Sequence, residues 1–162
     1  MTAQTNMDLV RAWVDAINHN DVEAELACWQ PDAQMTVHPL GVTFKGVDEF
    51  RRGGVKSSAM VGTQPLEGRK QITHLFGSGD DWVCVEYDVQ ASVDGPIVLQ
   101  NVIVVPAGVS RNLELKVCVI AHVRNGKMDV AREYWDSASM ARQLHVDSAL
   151  LAAMYASMSS TD

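Results

Sequence analysis

His38, Glu133 and Asp88 are the side chains of this 162-residue chain whose type and setting best suit proton transfer. His38 closes a short strand-like run, 34–38, and Pro39-Leu40-Gly41 follows at once. An imidazole titrates near neutral pH, so it can move a proton from an activated carbon or a water without much tuning. The alternative is a strand-end histidine bonded to backbone. Along 127–135, Ala131, Glu133 and Trp135 share one face, and Val130, Arg132 and Tyr134 share the other. A carboxylate among apolar walls has a raised pKa and serves as acid or base. The bland reading is an exposed glutamate paired with a basic neighbour, and Trp135 on the same face argues for cover from solvent. Glu86 and Asp88 alternate in step along 82–88. They belong to the same site or are the wet face of an antiparallel strand.

Trp13 lies on the apolar stripe of the first helical segment, where an aromatic is core by default and a pocket wall otherwise. His122 shares a face with Cys118 and Ile120, a second candidate stretch of pocket lining. His74 alternates with Ile72 and Phe76 and reads as a core or interface histidine, and Asp136 reads as a helix N-cap. The chain has no phosphate-binding glycine loop, no H-E-x-x-H and no G-x-S-x-G elbow. His38, His122 and Glu133 show no ligand spacing, so no metal and no cofactor are expected.

Two kinds of period position these residues. Val10, Trp13, Val14 and Ile17 recur at helical spacing, and Thr5 with Asp8 suggests a capping box for a helix over 6–18. Asp21 caps a second helix running through Cys28, and Pro31-Asp32 forces a turn. After the 34–38 strand a weaker helix is predicted over 47–60, because Gly53-Gly54 costs it stability. From Arg69 the period becomes two, with strands near 70–77, 82–93, 97–105, 113–124 and 127–135. Asn125-Gly126 between the last two is a tight hairpin signal. Helices over 137–144 and 147–158 and a frayed tail complete one domain, its core about 6–145. Helices first and consecutive antiparallel strands afterwards predict an α+β fold, with helices on one face of a curved sheet.

The totals exclude several function classes. A net charge of −7 offers no basic face for nucleic acid. Three cysteines without C-x-x-C spacing fit a reducing compartment better than a disulfide framework. No apolar run is long enough to span a membrane, and the first residues do not read as a signal peptide, so a cytoplasmic location is expected.

Two stretches carry a family likeness: 29–41, W-Q-P-D-A-Q-M-T-V-H-P-L-G, continuing to F-K-G-V-D-E-F at 44–50, and N-G-K-M at 125–128, continuing through R-E-Y-W-D at 132–136 to Arg142-Gln143-Leu144. With the order of elements, these resemble the nuclear transport factor 2-like superfamily. The resemblance is strongest to the SnoaL-like polyketide cyclases, and ketosteroid isomerase and limonene epoxide hydrolase are more distant. It implies a cone in which N-terminal helices close a curved antiparallel sheet around one pocket. It places His38 where ketosteroid isomerase has its aspartate base, and Glu133 where the epoxide hydrolases have an acidic catalytic residue. Asp88 keeps an acid of those hydrolases, but Glu86 replaces their arginine, and Met35 and Val37 replace their tyrosine and asparagine. Met35, Trp13, Glu86, Ile120, His122 and Trp135 become the implied pocket lining. The function implied is cofactor-free acid–base chemistry on a largely apolar polyketide-, steroid- or terpenoid-like molecule, as a cyclase, isomerase, dehydratase or hydrolase. The alternative is a non-catalytic module that binds such a ligand. Members of this fold often pair through the outer sheet face, so a homodimer is expected, with Leu113, Leu115, Val117, Val119 and Ala121 as its surface.

Overall fold

The computed structural model describes residues 2–52, 69–99 and 102–147. Helix α1 spans Ala3–Asn18 and α2 spans Val22–Ala27. The first long strand, β1 (Trp29–Val37), ends in a 3-10 turn at His38–Leu40, and β2 (Val42–Lys45) returns antiparallel to it. A short helix, α3, begins over 46–52. Strands β3 (Arg69–Gly77), β4 (Trp82–Asp94), β7 (Ser110–Arg124) and β8 (Lys127–Trp135) form the body of the sheet. Between them β5 (Ile97–Leu99) and β6 (Val102–Val105) make a separate two-stranded ribbon, and α4 (Ser137–Leu144) closes the described chain.

The architecture is α+β, with six strands in the order β2-β1-β8-β7-β4-β3 forming an unclosed sheet. Val10, Trp13 and Val14 of α1 pack on Val83, Val85 and Tyr87 of β4, Val117, Val119 and Ala121 of β7, and Met128 and Ala131 of β8. This face, with α1 across it, is the interior of the cone. A second cluster, Ala91, Val93, Leu113, Ala141 and Leu144, seats α4 on the far ends of β4 and β7. No helix among the described residues is long and apolar enough to cross a membrane.

Several boundaries differ from the sequence reading, each for a local reason. Helix α1 starts at Ala3, not 6, because Thr2 caps it by accepting from the Thr5 N–H at 3.2 Å. Strand β1 begins at Trp29 because a register shift between Trp29 and Gln34 accommodates Pro31 without breaking the pairing. β1 also runs parallel to β8, so the sheet is mixed rather than wholly antiparallel. The segment 97–105 is two strands instead of one. Asn125 and Gly126 both take positive φ, 52° and 78°, as the tight hairpin turn requires. Asp21 and Asp136 cap α2 and α4 as read from the sequence. The predicted extension of α3 to 60, the helix over 147–158 and the tail lie outside the described residues, apart from Asp147.

The surface expected to pair two copies is placed differently. Val117, Val119 and Ala121 are at most 6% exposed and belong, with Leu113, to the core. Alternation puts their neighbours Lys116, Cys118, Ile120 and His122 outside instead.

Candidate functional site

The interior face of β8 runs Met128, Ala131, Glu133, Trp135, and Glu133 is the one charged group on it. Trp135 Nε1 donates to Glu133 Oε1 at 2.8 Å. Burial pushes the Glu133 carboxyl above its ordinary value, against the pull of Lys70 and of the Trp135 N–H.

Lys70 comes from the opposite edge of the sheet. It is the second residue of β3, on the same face as Ile72, and Asn18 at the end of α1 grips its backbone twice. The Asn18 amide donates to the Lys70 carbonyl at 2.9 Å and accepts from the Lys70 N–H at 2.8 Å. The side chain is thereby aimed across the cone, with Nζ 5.2 Å from the Tyr87 ring centroid and 5.8 Å from that of Trp13. Burial lowers the Lys70 ammonium below the ordinary lysine value, while Glu133 and Glu25 act the other way. Lys70 forms no direct ion pair with either carboxylate among the described residues.

Glu25, from α2, is the third charged member. Burial raises its carboxyl, and Lys70 and the Trp13 N–H oppose that rise. Trp13 Nε1 is buried with no hydrogen-bond partner of good geometry, a donor that costs about 1–3 kcal/mol when unsatisfied. Tyr87, buried beneath Lys70, has its hydroxyl pKa pushed well up by burial and then by Glu133 and Glu25. Glu133, Lys70 and Glu25 are all surrounded deeply enough for burial to dominate their pKa values, yet each keeps some open surface. A groove of about 400 Å³ between α1 and β3, lined by Arg11, Val14, Asn18 and Lys70 among others, reaches the lysine from outside.

Of the residues singled out in the sequence, Glu133, Trp135, Met35 and Trp13 stand on the interior face. The rest do not join them. Ala33, Met35 and Val37 point inward, so the following turn, with Pro39 and the left-handed Gly41, throws His38 to the outside. There its ring stacks on Tyr134 at 4.6 Å, against the face of β8 opposite Glu133. The same alternation turns Glu86 and Asp88 outward, since Val83, Val85 and Tyr87 hold the interior of β4. Glu86 meets His74 at 3.2 Å and Asp88 meets Lys116 at 3.3 Å, both across open surface. Ile120 and His122 are outside as well, where His122 Nδ1 contacts Asp129 at 2.7 Å and its ring leans on Trp82. No three His, Cys, Asp or Glu side chains gather as a metal site among the described residues.

Lys70, Glu25 and Tyr87 were missed from sequence. Tyr87 was signalled by its step with Val83 and Val85, and Lys70 by its step with Ile72. A strand-start lysine and a helix glutamate nevertheless read as solvated by default.

An N-terminal helix across a curved, unclosed six-stranded sheet defines an α+β cone, and Glu133 and Lys70 are buried charged groups within it. The SnoaL-like domain pattern matches residues 10–130, and the chain belongs to that family. No curated protein matches the chain. Solved structures that resemble it share the fold at low identity. A protein from Xanthomonas campestris pv. campestris assigned to the polyketide cyclases has a TM-score of 0.70 at 19% identity, covering 88% of this chain and 98% of that one. A ketosteroid isomerase-like fold protein from Catenulispora acidiphila, solved with trimethylamine, gives 0.68 at 16%, covering 87% and 95%. TerC, co-crystallised with polyporic acid, gives 0.65 at 16%, covering 87% and 98%.

Proposed function

We propose that the chain is a cofactor-independent acid–base enzyme acting on a small, largely apolar, carbonyl-bearing molecule of polyketide, steroid or terpenoid type. The observation that carries this is the placement of two buried charged groups on the inner side of the sheet: Glu133, held by the Trp135 N–H at 2.8 Å, and Lys70, with its amine by the Tyr87 and Trp13 rings, burial displacing each toward neutral pH. Burying two such groups is costly unless they are used or compensated, and pKa values drawn toward neutrality are what proton transfer at neutral pH needs. In this reading Glu133 takes a proton from a carbon beside the carbonyl, and Lys70 holds the carbonyl end of the substrate. Met35, Ile72 and Trp135, partly buried around the core, supply apolar wall for the substrate body. His38 and Asp88 have no part in this chemistry.

The test is deuterium exchange beside the carbonyl in a panel of aromatic and alicyclic ketones, followed by NMR. Exchange catalysed by the protein should fall by roughly 10²–10⁴ in E133Q, the usual range for a proton-transfer group. Exchange no faster than with E133Q across the panel would refute the enzyme reading.

The alternative, a binding module, is supported by the ligands solved with two of the similar folds, trimethylamine and polyporic acid. A small cation suits this chain poorly, because Lys70 already lies over the aromatic faces that would hold it. We further propose a cytoplasmic homodimer joined through the outer sheet face, where Phe76 is 56% and Tyr134 38% exposed.

A further inference from the structure

We propose that Lys70 captures the carbonyl group of an aldehyde or ketone as a Schiff base, with Glu133 and Glu25 moving the protons. This rests on the reading of the cone as the substrate site and specifies how the carbonyl is held there. Three observations converge on it. First, the amine lies between the Tyr87 and Trp13 rings at 5.2 and 5.8 Å, held there by the double clamp of Asn18 on its backbone. Second, neither carboxylate contacts the amine directly among the described residues, so the nitrogen is not locked as an ion-pair donor. Burial shifts it toward the neutral form that can attack. Third, a groove of about 400 Å³ between α1 and β3 has Lys70 in its lining, so a small carbonyl compound has a route to the residue from outside.

The step balances without any oxidant or reductant. The neutral amine adds its lone pair to the carbonyl carbon, the C=O π pair moves to oxygen, and a proton shifts from nitrogen to that oxygen. One carboxylic acid of the Glu133–Glu25 pair then protonates the hydroxyl, which leaves as water while the nitrogen lone pair forms the C=N bond. The product is an iminium paired with a carboxylate. The positive nitrogen acidifies the neighbouring C–H, which Glu133 as carboxylate is placed to remove.

The experiment is reductive trapping of the full chain with limiting benzaldehyde and sodium cyanoborohydride across a pH series, followed by peptide mapping of all five lysines. At neutral pH the benzyl mass should fall on Lys70 ahead of the exposed Lys45, Lys116 and Lys127, and its labelling should persist to lower pH than theirs. K70R, checked for folding by circular dichroism, should lose that label and leave the others unchanged. Lys70 unlabelled while exposed lysines react, or labelled along the same pH curve as they are, overturns the Schiff base. The tryptophan emission of the same samples separates the two readings. Quenching by the aldehyde without a Lys70 adduct leaves the cone as a binding site, whereas neither quenching nor adduct removes both.

Discussion

Removing Lys70 should damage the fold more than removing Glu133, and the damage should be repaired by acid. In K70M two carboxylates, Glu133 and Glu25, lose the cation that lowers both their pKa values. In E133Q, Lys70 still has Glu25, and the Gln carbonyl can still accept the Trp135 N–H. Breaking a buried pair in contact costs about 3–5 kcal/mol. Here the charges lie beyond 4 Å, where each attraction is below about 4 kcal/mol at an effective dielectric of 20, and the lost ammonium no longer has to be desolvated. A net loss of about 2–3 kcal/mol is therefore expected for K70M, and about 1 kcal/mol or less for E133Q. For a chain of this length, K70M should melt roughly 4–12 °C lower at pH 7. The folded pKa values of both glutamates lie above their unfolded values, and further above in K70M. Protonation therefore favours the fold, fully below the unfolded carboxylate range, and that advantage is lost as pH rises through the folded values. The gap between K70M and the native chain should accordingly narrow from pH 7 to pH 5, and K70M/E133Q should be more stable than K70M at pH 7. Thermal melts by circular dichroism measure all of this. A K70M melting temperature equal to the native one, or a deficit unchanged by acid, would refute the buried-cluster reasoning.

Replacing Trp135 by Phe removes the N–H that favours the Glu133 carboxylate, so the acid limb of any rate profile should move to higher pH, as pH–rate measurements would show. H38A should leave ketone exchange unchanged, because the imidazole stacks outside on Tyr134, and a large loss would return it to the site. M128A, at a wholly buried position, should cost about 2–5 kcal/mol in urea denaturation. Sedimentation should give a dimer of the 17.7 kDa chain that F76D converts to a folded monomer, and a native monomer at micromolar concentration would contradict the outer-face pairing.

The fold was legible because it rests on periods the sequence displays openly. The apolar stripe of α1, the alternation along β4, β7 and β8, and Asn125-Gly126 all fixed elements near their observed places. Glu133 was legible for the same reason, since its step with Ala131 and Trp135 set its face. The alternation also carried information that the family likeness obscured. His38 falls out of step with Met35 and Val37, and Glu86 and Asp88 fall out of step with Val83, Val85 and Tyr87, so each belongs outside. The dimer surface went astray through the converse choice, because on β7 the more apolar parity is the core. Lys70 was hidden by its type, and the register shift between Ile72 and His74 breaks the pattern that would have linked it to Leu75 inside. Glu25 could not be placed from sequence, because what brings it to Lys70 is the packing of α2 and no local spacing.

The account turns on a carboxyl inside the cone that holds its proton more tightly than an ordinary glutamate and does so facing a lysine. Carbon-13 NMR of the side-chain carboxyls, with E133Q assigning the resonance, measures it directly. Glu133 should titrate above the ordinary 4.5, and K70M should move its midpoint higher still. A Glu133 midpoint at or below 4.5, or one indifferent to Lys70, would contradict the central claim.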